Sequence, residues 1–205
     1  INAVNLIDGI DGLAASVGII ASLFFGVWFI LSEDYGFAAM AAALLGSLIV
    51  FLFYNLSNGR MKIFMGDTGS IVIGFTLVVM AIRFNELDAA GRSFLDLAST
   101  PSVSIAVLII PLFDTLRIIF LRFKNHQSVF TADNRHIHHM MLRLGFSHKQ
   151  ATFYISIFNI LMIVLALLLD SIGILWLGLV LLAICGIGTT ILVQAVKRKE
   201  FAAAG

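Results

Sequence analysis

Charge is scarce in this sequence. Only 12% of its 205 residues are Asp, Glu, Lys or Arg, against roughly 25% in a water-soluble domain. That shortage excludes an ordinary soluble core protein. The net charge of +1 leaves no basic footprint of the kind that binds nucleic acid. Cysteine is nearly absent as well. Cys185 stands alone in an apolar run, which excludes an internal disulfide framework and leaves the redox compartment open. The sequence reads as carrying no signal-peptide pattern, and it opens without a methionine inside a polar motif. It reads as the C-terminal part of a longer protein.

What fills the chain instead is apolar, 60% of it, in runs long enough to cross a bilayer at 1.5 Å of helix per residue. The expected fold is all-α, a polytopic transmembrane helical bundle forming one integral membrane domain over residues 1–205. Six spans can be drawn: about 13–31, 36–56, 69–84, 102–121, 151–169 and 172–196. Basic residues set the orientation. Alternating the ends puts Arg60, Lys62, Arg122, Lys124, Arg135, Arg143, Lys149, Lys197, Arg198 and Lys199 on one side, and only Arg83 and Arg92 on the other. The first side is therefore expected to be cytoplasmic, and the polar motifs, which were not used to place the spans, all fall on it.

The first motif, Asn2-Ala-Val-Asn5-Leu-Ile-Asp8-Gly-Ile-Asp11-Gly-Leu13, repeats a polar residue every third position. On a helix this spacing draws one polar stripe. Gly9 and Gly12 leave room for close approach by ligand or backbone. Two carboxylates at a membrane boundary are costly unless a cation, a donor or water meets them. A helix cap would explain one of them, not four polar residues in register.

The second motif is Phe64-Met-Gly-Asp67-Thr-Gly-Ser70. Asp67 directly precedes a span and suits magnesium, which takes hard oxygen donors and shares them with phosphates. An N-cap at Asp67 or Thr68 is the plainer alternative. Phe64 can stack on a base or anchor at the interface.

The third motif is Asp133-Asn-Arg135-His136-Ile-His138-His139, in the long cytoplasmic connection between the fourth and fifth spans. Zinc would want a fourth ligand in closed geometry, and Cys185 is remote. Arg135 with the histidines instead suits phosphate oxygens or proton transfer. Inside the fourth span, Asp114 and Arg117 can pair on one helix face next to Pro111. An intramembrane charge is a functional suspect, and a structural ion pair beside a proline kink accounts for these two equally well.

Taken together, NAVNLIDGIDGLA, FMGDTGS and RHIHH, in this order and on one face, resemble the polyprenyl-phosphate N-acetylhexosamine-1-phosphate transferases (glycosyltransferase family 4) over about residues 1–195. The resemblance implies transfer of a sugar-1-phosphate from a UDP-amino sugar to undecaprenyl phosphate in the cytoplasmic leaflet of the lipid bilayer, with release of UMP and dependence on Mg²⁺ or Mn²⁺. It implies that Asp67 binds the metal with Asn5 as a second ligand. Asp8 and Asp11 would shape the nucleotide-sugar site, Phe64 would stack on uracil and Asn55 would close the uridine pocket. His136, His138 and His139 would contact the pyrophosphate. Ile137 interrupts the histidine run, as in the branch that uses UDP-N-acetylglucosamine. The branch that transfers phospho-N-acetylmuramoyl-pentapeptide carries three adjacent histidines.

The chain departs from the family in two places. Between Asn55 and Phe64 it lacks the frequent short proline-containing link. It also lacks the aspartate-rich DDxxD of an earlier cytoplasmic loop, expected upstream of Ile1; otherwise the chain is inactive by itself. A homodimer is compatible with this reading, though the sequence sets no oligomeric state. The rival classes are a transporter, which would place charges deep in several spans, and a non-catalytic scaffold for lipid-linked sugars.

Overall fold

The computed structural model describes residues 2–57, 59–126 and 135–204, with side chains through residue 202. The regular elements among them are all helical. Nine α-helices follow in order: α1 (Asn2–Ile7), α2 (Leu13–Leu31), α3 (Tyr35–Asn55), α4 (Gly66–Ala89), α5 (Thr100–Val107), α6 (Ile109–Lys124), α7 (Ile137–Arg143), α8 (His148–Leu168) and α9 (Ile174–Ala204). Five of them, α2, α3, α4, α8 and α9, are long and apolar enough to cross a membrane, and the chain is a multi-pass membrane protein.

These spans are apolar on nearly every face, as segments bordered by both protein and lipid must be. The most enclosed is α2, which packs against α3, α4 and α8. Its own Phe25 and Phe29, and Phe84 of α4, are completely buried, and the Trp28 ring meets Phe84 edge-on with centroids 4.9 Å apart. By contrast α3 and α9 expose Phe53, Leu175 and Trp176, the surface expected to face lipid tails. α8 starts with a reciprocal cap, in which the Ser147 and Gln150 side chains each bond the other's backbone N–H.

The fourth predicted span, about 102–121, is not one straight helix. It breaks at Leu108 into α5 and α6, which meet at 84°. Pro111 has no N–H to give the carbonyl four residues back, that of Val107. The side chain of Asn159, wholly buried in α8, supplies the missing donor. Its Nδ2 donates to the carbonyls of Ala106 and Val107 at 3.2 and 3.3 Å. The break is thus held from a neighbouring helix, and it turns α6 across the bundle so that it packs against α1 and α8.

Two smaller expectations also change. The Asn2–Asp11 stripe is not one helix: α1 ends at Ile7, and residues 8–12 turn through Gly12 at φ +80°. Asp67 does not cap α4. Met65 holds that position without a side-chain bond, and Asp67 lies in the first turn.

The two sets of loops separate as the alternation predicts. At the end away from the motifs, Arg83 pairs with Asp34 at 2.7 Å and Trp28 Nε1 donates to Ser93 at 2.9 Å. There too the Asp170 carboxylate accepts from the backbone of Ala98 and Ser99 at 2.7 and 2.8 Å. The motifs gather at the opposite end.

Candidate active site

The first two motifs are joined by one side chain. Asn55, the last residue of α3, is 5% exposed. Its Oδ1 accepts the N–H of Gly12 at 2.6 Å, and its Nδ2 donates to the carbonyl of Ile63 at 2.9 Å. The amide therefore ties the end of the first motif to the residue preceding Phe64. Gly12 fits this position because its φ of +80° disfavours a side chain, and because a Cβ would press on Leu52 and Leu56 at 3.1 Å.

Asp11 is held by groups that the motifs do not contain. Its Oδ2 lies 2.7 Å from Lys62 Nζ and 3.3 Å from His148 Nδ1, and its backbone carbonyl accepts from Thr152 at 2.8 Å. Partial burial opposes the Asp11 charge, yet the Lys62 hydrogen bond and charge, with His148 behind them, outweigh it and keep the carboxyl below its ordinary range. Asp8 is in the opposite situation. Burial, then the charges of Asp11 and Asp67, push its carboxyl from an ordinary 3.8 up to about 6.

Asp11 and Asp67 are thus close enough to oppose the ionisation of Asp8, and among the described residues Asp11 is the one of the three paired with a cation, Lys62. This is a fitting place for Mg²⁺. The donors are hard oxygens, and a divalent charge would relieve the repulsion felt at Asp8. Among the described residues no three His, Cys, Asp or Glu side chains converge into a closed cage. Mg²⁺ does not require one, since it typically keeps waters and takes one or two carboxylates together with substrate phosphates. Asn5, half-buried in α1, stands one helical turn before Asp8, and α1 packs against α4, which carries Asp67.

The histidine motif arrives from across the bundle. His138 is 1% exposed in α7, and a Cβ added to Gly9 would stand 2.3 Å from its Nε2. The first and third motifs are therefore in direct contact. Among the described residues neither ring nitrogen of His138 has a hydrogen-bond partner. Burial first, then the neighbouring His139 charge, push its pKa down to about 4, so it is neutral at physiological pH. The rings of His136 and His138 stack with centroids 5.6 Å apart, and His139 lies 4.2 Å from His138. Arg135 precedes them, partly exposed, while Asp133 lies outside the described residues. Phe64 projects outward, 76% exposed, with Lys62 Nζ 5.4 Å from its ring centre.

The structure therefore brings Asp8, Asp11, Asn55, Phe64, Asp67 and the histidines to one end of the bundle. Sequence reasoning missed Lys62 and His148. Lys62 stood only as one of several cytoplasmic cations, and His148, just before the fifth predicted span, was not singled out. Asp114 was recognised as a candidate charge, without its link to the histidine loop.

Comparison with known proteins points to one kind of enzyme. Residues 1–85 match the family model described as glycosyl transferase family 4. A probable undecaprenyl-phosphate N-acetylglucosaminyl 1-phosphate transferase from Bacillus subtilis (strain 168) is 32% identical over 183 residues, 89% of this chain and 48% of the relative. The undecaprenyl-phosphate alpha-N-acetylglucosaminyl 1-phosphate transferase of Escherichia coli (strain K12) is 31% identical over 177 residues, 85% of this chain and 44% of the relative. A decaprenyl-phosphate N-acetylglucosaminephosphotransferase from Mycolicibacterium smegmatis is 35% identical over 167 residues, 76% of this chain and 41% of the relative. The chain thus spans about half the length of the curated relatives it matches. No solved structure matches it. The family model covers both aspartate motifs and relatives of one enzyme type align along most of the chain, so the chain is similar to glycosyl transferase family 4 over its first 85 residues and to these transferases beyond them.

Proposed function

We propose that the whole protein transfers N-acetylglucosamine-1-phosphate from UDP-N-acetylglucosamine to undecaprenyl phosphate at the cytoplasmic face of the plasma membrane, releasing UMP and requiring Mg²⁺. The observation that carries this reading is the meeting of distant motifs at one end of the bundle. Gly9 lies against His138, and Asn55 holds Gly12 to Ile63. A phosphosugar transferase needs such a meeting, because its substrate is a diphosphate whose charge must be balanced along its length.

An oxygen of the lipid phosphate attacks the phosphorus bonded to the sugar. The bond from that phosphorus to the bridging oxygen breaks, and UMP leaves with the bond's electron pair. The lipid phosphate is already an anion near neutral pH, so attack needs little help from a base. Asp67 and Asn5 would hold Mg²⁺, which when bound supplies positive charge across the diphosphate. Asp8 and Asp11 orient the nucleotide sugar, Asp11 being kept anionic by Lys62 and His148. Phe64, exposed beside them, offers a face for uracil. Arg135 and the histidines stabilise charge that develops on phosphate oxygens.

The test is metal-dependent UMP release by the full-length protein, with UDP-N-acetylglucosamine set against the muramoyl-pentapeptide nucleotide and with undecaprenyl phosphate as acceptor. Release from the first nucleotide alone supports the reading. Preference for the second moves the chain to the peptidoglycan branch, and no release from either removes the enzyme assignment. Isolation of a phosphosugar covalently bound to an aspartate would replace direct attack by a two-step route.

A further inference from the structure

Asp114 lies outside all three motifs, in α6, and is 1% exposed. Pairing with Arg117 one turn away, Oδ1 to Nη2 at 2.8 Å, would be enough for a structural ion pair within the helix. The carboxylate does more than that. Its Oδ2 is 2.9 Å from Nδ1 of His136, which is itself 4% exposed. It also accepts the backbone N–H of Ile137, the first residue of α7, at 3.2 and 3.3 Å to its two oxygens. Arg117 extends the same bracket by donating to the backbone carbonyl of Arg135. A pair in α6 thus grips three consecutive residues of the histidine motif.

A carboxylate accepts hydrogen bonds and cannot give them, so the imidazole nitrogen facing it must carry the hydrogen. With Nδ1 committed in this way, Nε2 is the nitrogen of His136 left for substrate. The same logic governs histidines whose second ring nitrogen is fixed by a carboxylate in other enzymes, where the partner sets tautomer and ring orientation.

We propose that Asp114 is a positioning residue for the transfer reaction: it keeps a hydrogen on Nδ1 of His136 and aims Nε2 at the substrate phosphate, where Nε2 accepts a proton and, once it carries one, donates to a phosphate oxygen. Arg117 completes the bracket by fixing the backbone just before His136. The role in transfer rests on the activity proposed above. The tautomer does not.

The experiment uses the full-length protein in lipid nanodiscs, labelled with ¹⁵N at histidine, the His136 signals being assigned by their loss in His136→Gln. In the unmutated protein Nδ1 of His136 carries a proton, and a bare Nδ1 overturns the proposal whatever the enzyme's activity. In Asp114→Asn the Nδ1–H form loses its dominance and kcat falls about 10–100-fold. The KM for the UDP-sugar stays within about twofold, and Asp114→Glu recovers part of the rate. A KM rise at constant kcat, or an unchanged kcat in Asp114→Asn, also overturns it. Should Asp114→Asn fail to fold, the tautomer in the unmutated protein decides alone. Should the unmutated protein release no UMP, the activity reading fails while the tautomer still decides whether Asp114 fixes His136.

Discussion

Gly9 and His138 touch across the bundle so closely that a single added methyl group would stand 2.3 Å from the histidine's Nε2. Gly9→Ala therefore must displace an imidazole that is almost wholly enclosed. Overpacking of this kind costs about 1–3 kcal/mol, and a shift of about 1 Å in a reacting group is enough to cost about 100-fold in rate. The expected result is a folded variant with a modestly lowered Tm and turnover reduced by about two orders of magnitude. Thermal melting and UMP release measured side by side check it, and normal turnover would show that the contact is dispensable.

Asn55→Leu should act on stability first. It leaves the buried N–H of Gly12 without its acceptor and the Ile63 carbonyl without its donor. An unsatisfied buried group costs about 1–3 kcal/mol, so the midpoint of unfolding should drop. The link around Arg60 should also become more open to protease. Limited proteolysis in detergent, followed by mapping of the cut, reads both effects.

Asp67→Asn keeps the size of the side chain and removes its charge. Metal-dependent transfer should fall by about 10²–10³-fold, with the protein still inserted in the membrane. Raising Mg²⁺ should recover only a fraction of the rate. Near-normal turnover at ordinary Mg²⁺ would remove Asp67 from the metal site.

Asp8 gives a pH dependence whose sign can be worked out. Its carboxyl is pushed up to about 6 in the folded chain from an ordinary 3.8, so the folded state binds the proton more tightly than the unfolded one. The charge on Asp8 therefore destabilises the fold. The penalty is absent below the unfolded value, grows as pH rises toward the folded value, and is complete above it. Asp8→Asn should raise the Tm of the metal-free protein at pH 8 and leave it unchanged at pH 3.5, a comparison made at pH values flanking these two pKa values. The same carboxyl must be ionised to assist a cation, so activity should decline as pH falls through about 6. Added Mg²⁺ should move that decline to lower pH. An acid limb indifferent to Mg²⁺ would separate Asp8 from the metal.

Much of this was legible beforehand, for physical reasons that can be named. The spans stand out because a bilayer demands long uninterrupted apolar helices, and α2 runs over the predicted residues 13–31. The gathering of the motifs follows from the alternation of basic loops, which needs no knowledge of packing. The break at Leu108 was hidden because it depends on two distant residues acting together. Pro111 removes a donor, and Asn159 replaces it from α8. The partners of Asp11 were hidden for a similar reason. Lys62 and His148 carry no pattern in the sequence, and only the folded chain brings their nitrogens to one oxygen. Asp114 was visible as a charge in an apolar run, but its partner His136 sits beyond a long connection whose path the sequence does not give.

The Asn55 carboxamide grips main-chain atoms alone, at Gly12 and at Ile63. Beyond Gly12, whose place disfavours a side chain, such a latch is blind to spelling: it requires that the chain return to the same point, not that it return with particular side chains. Apart from Lys62, which holds Asp11, the stretch from Leu56 to Ile63 can therefore change in composition while the latch keeps its shape.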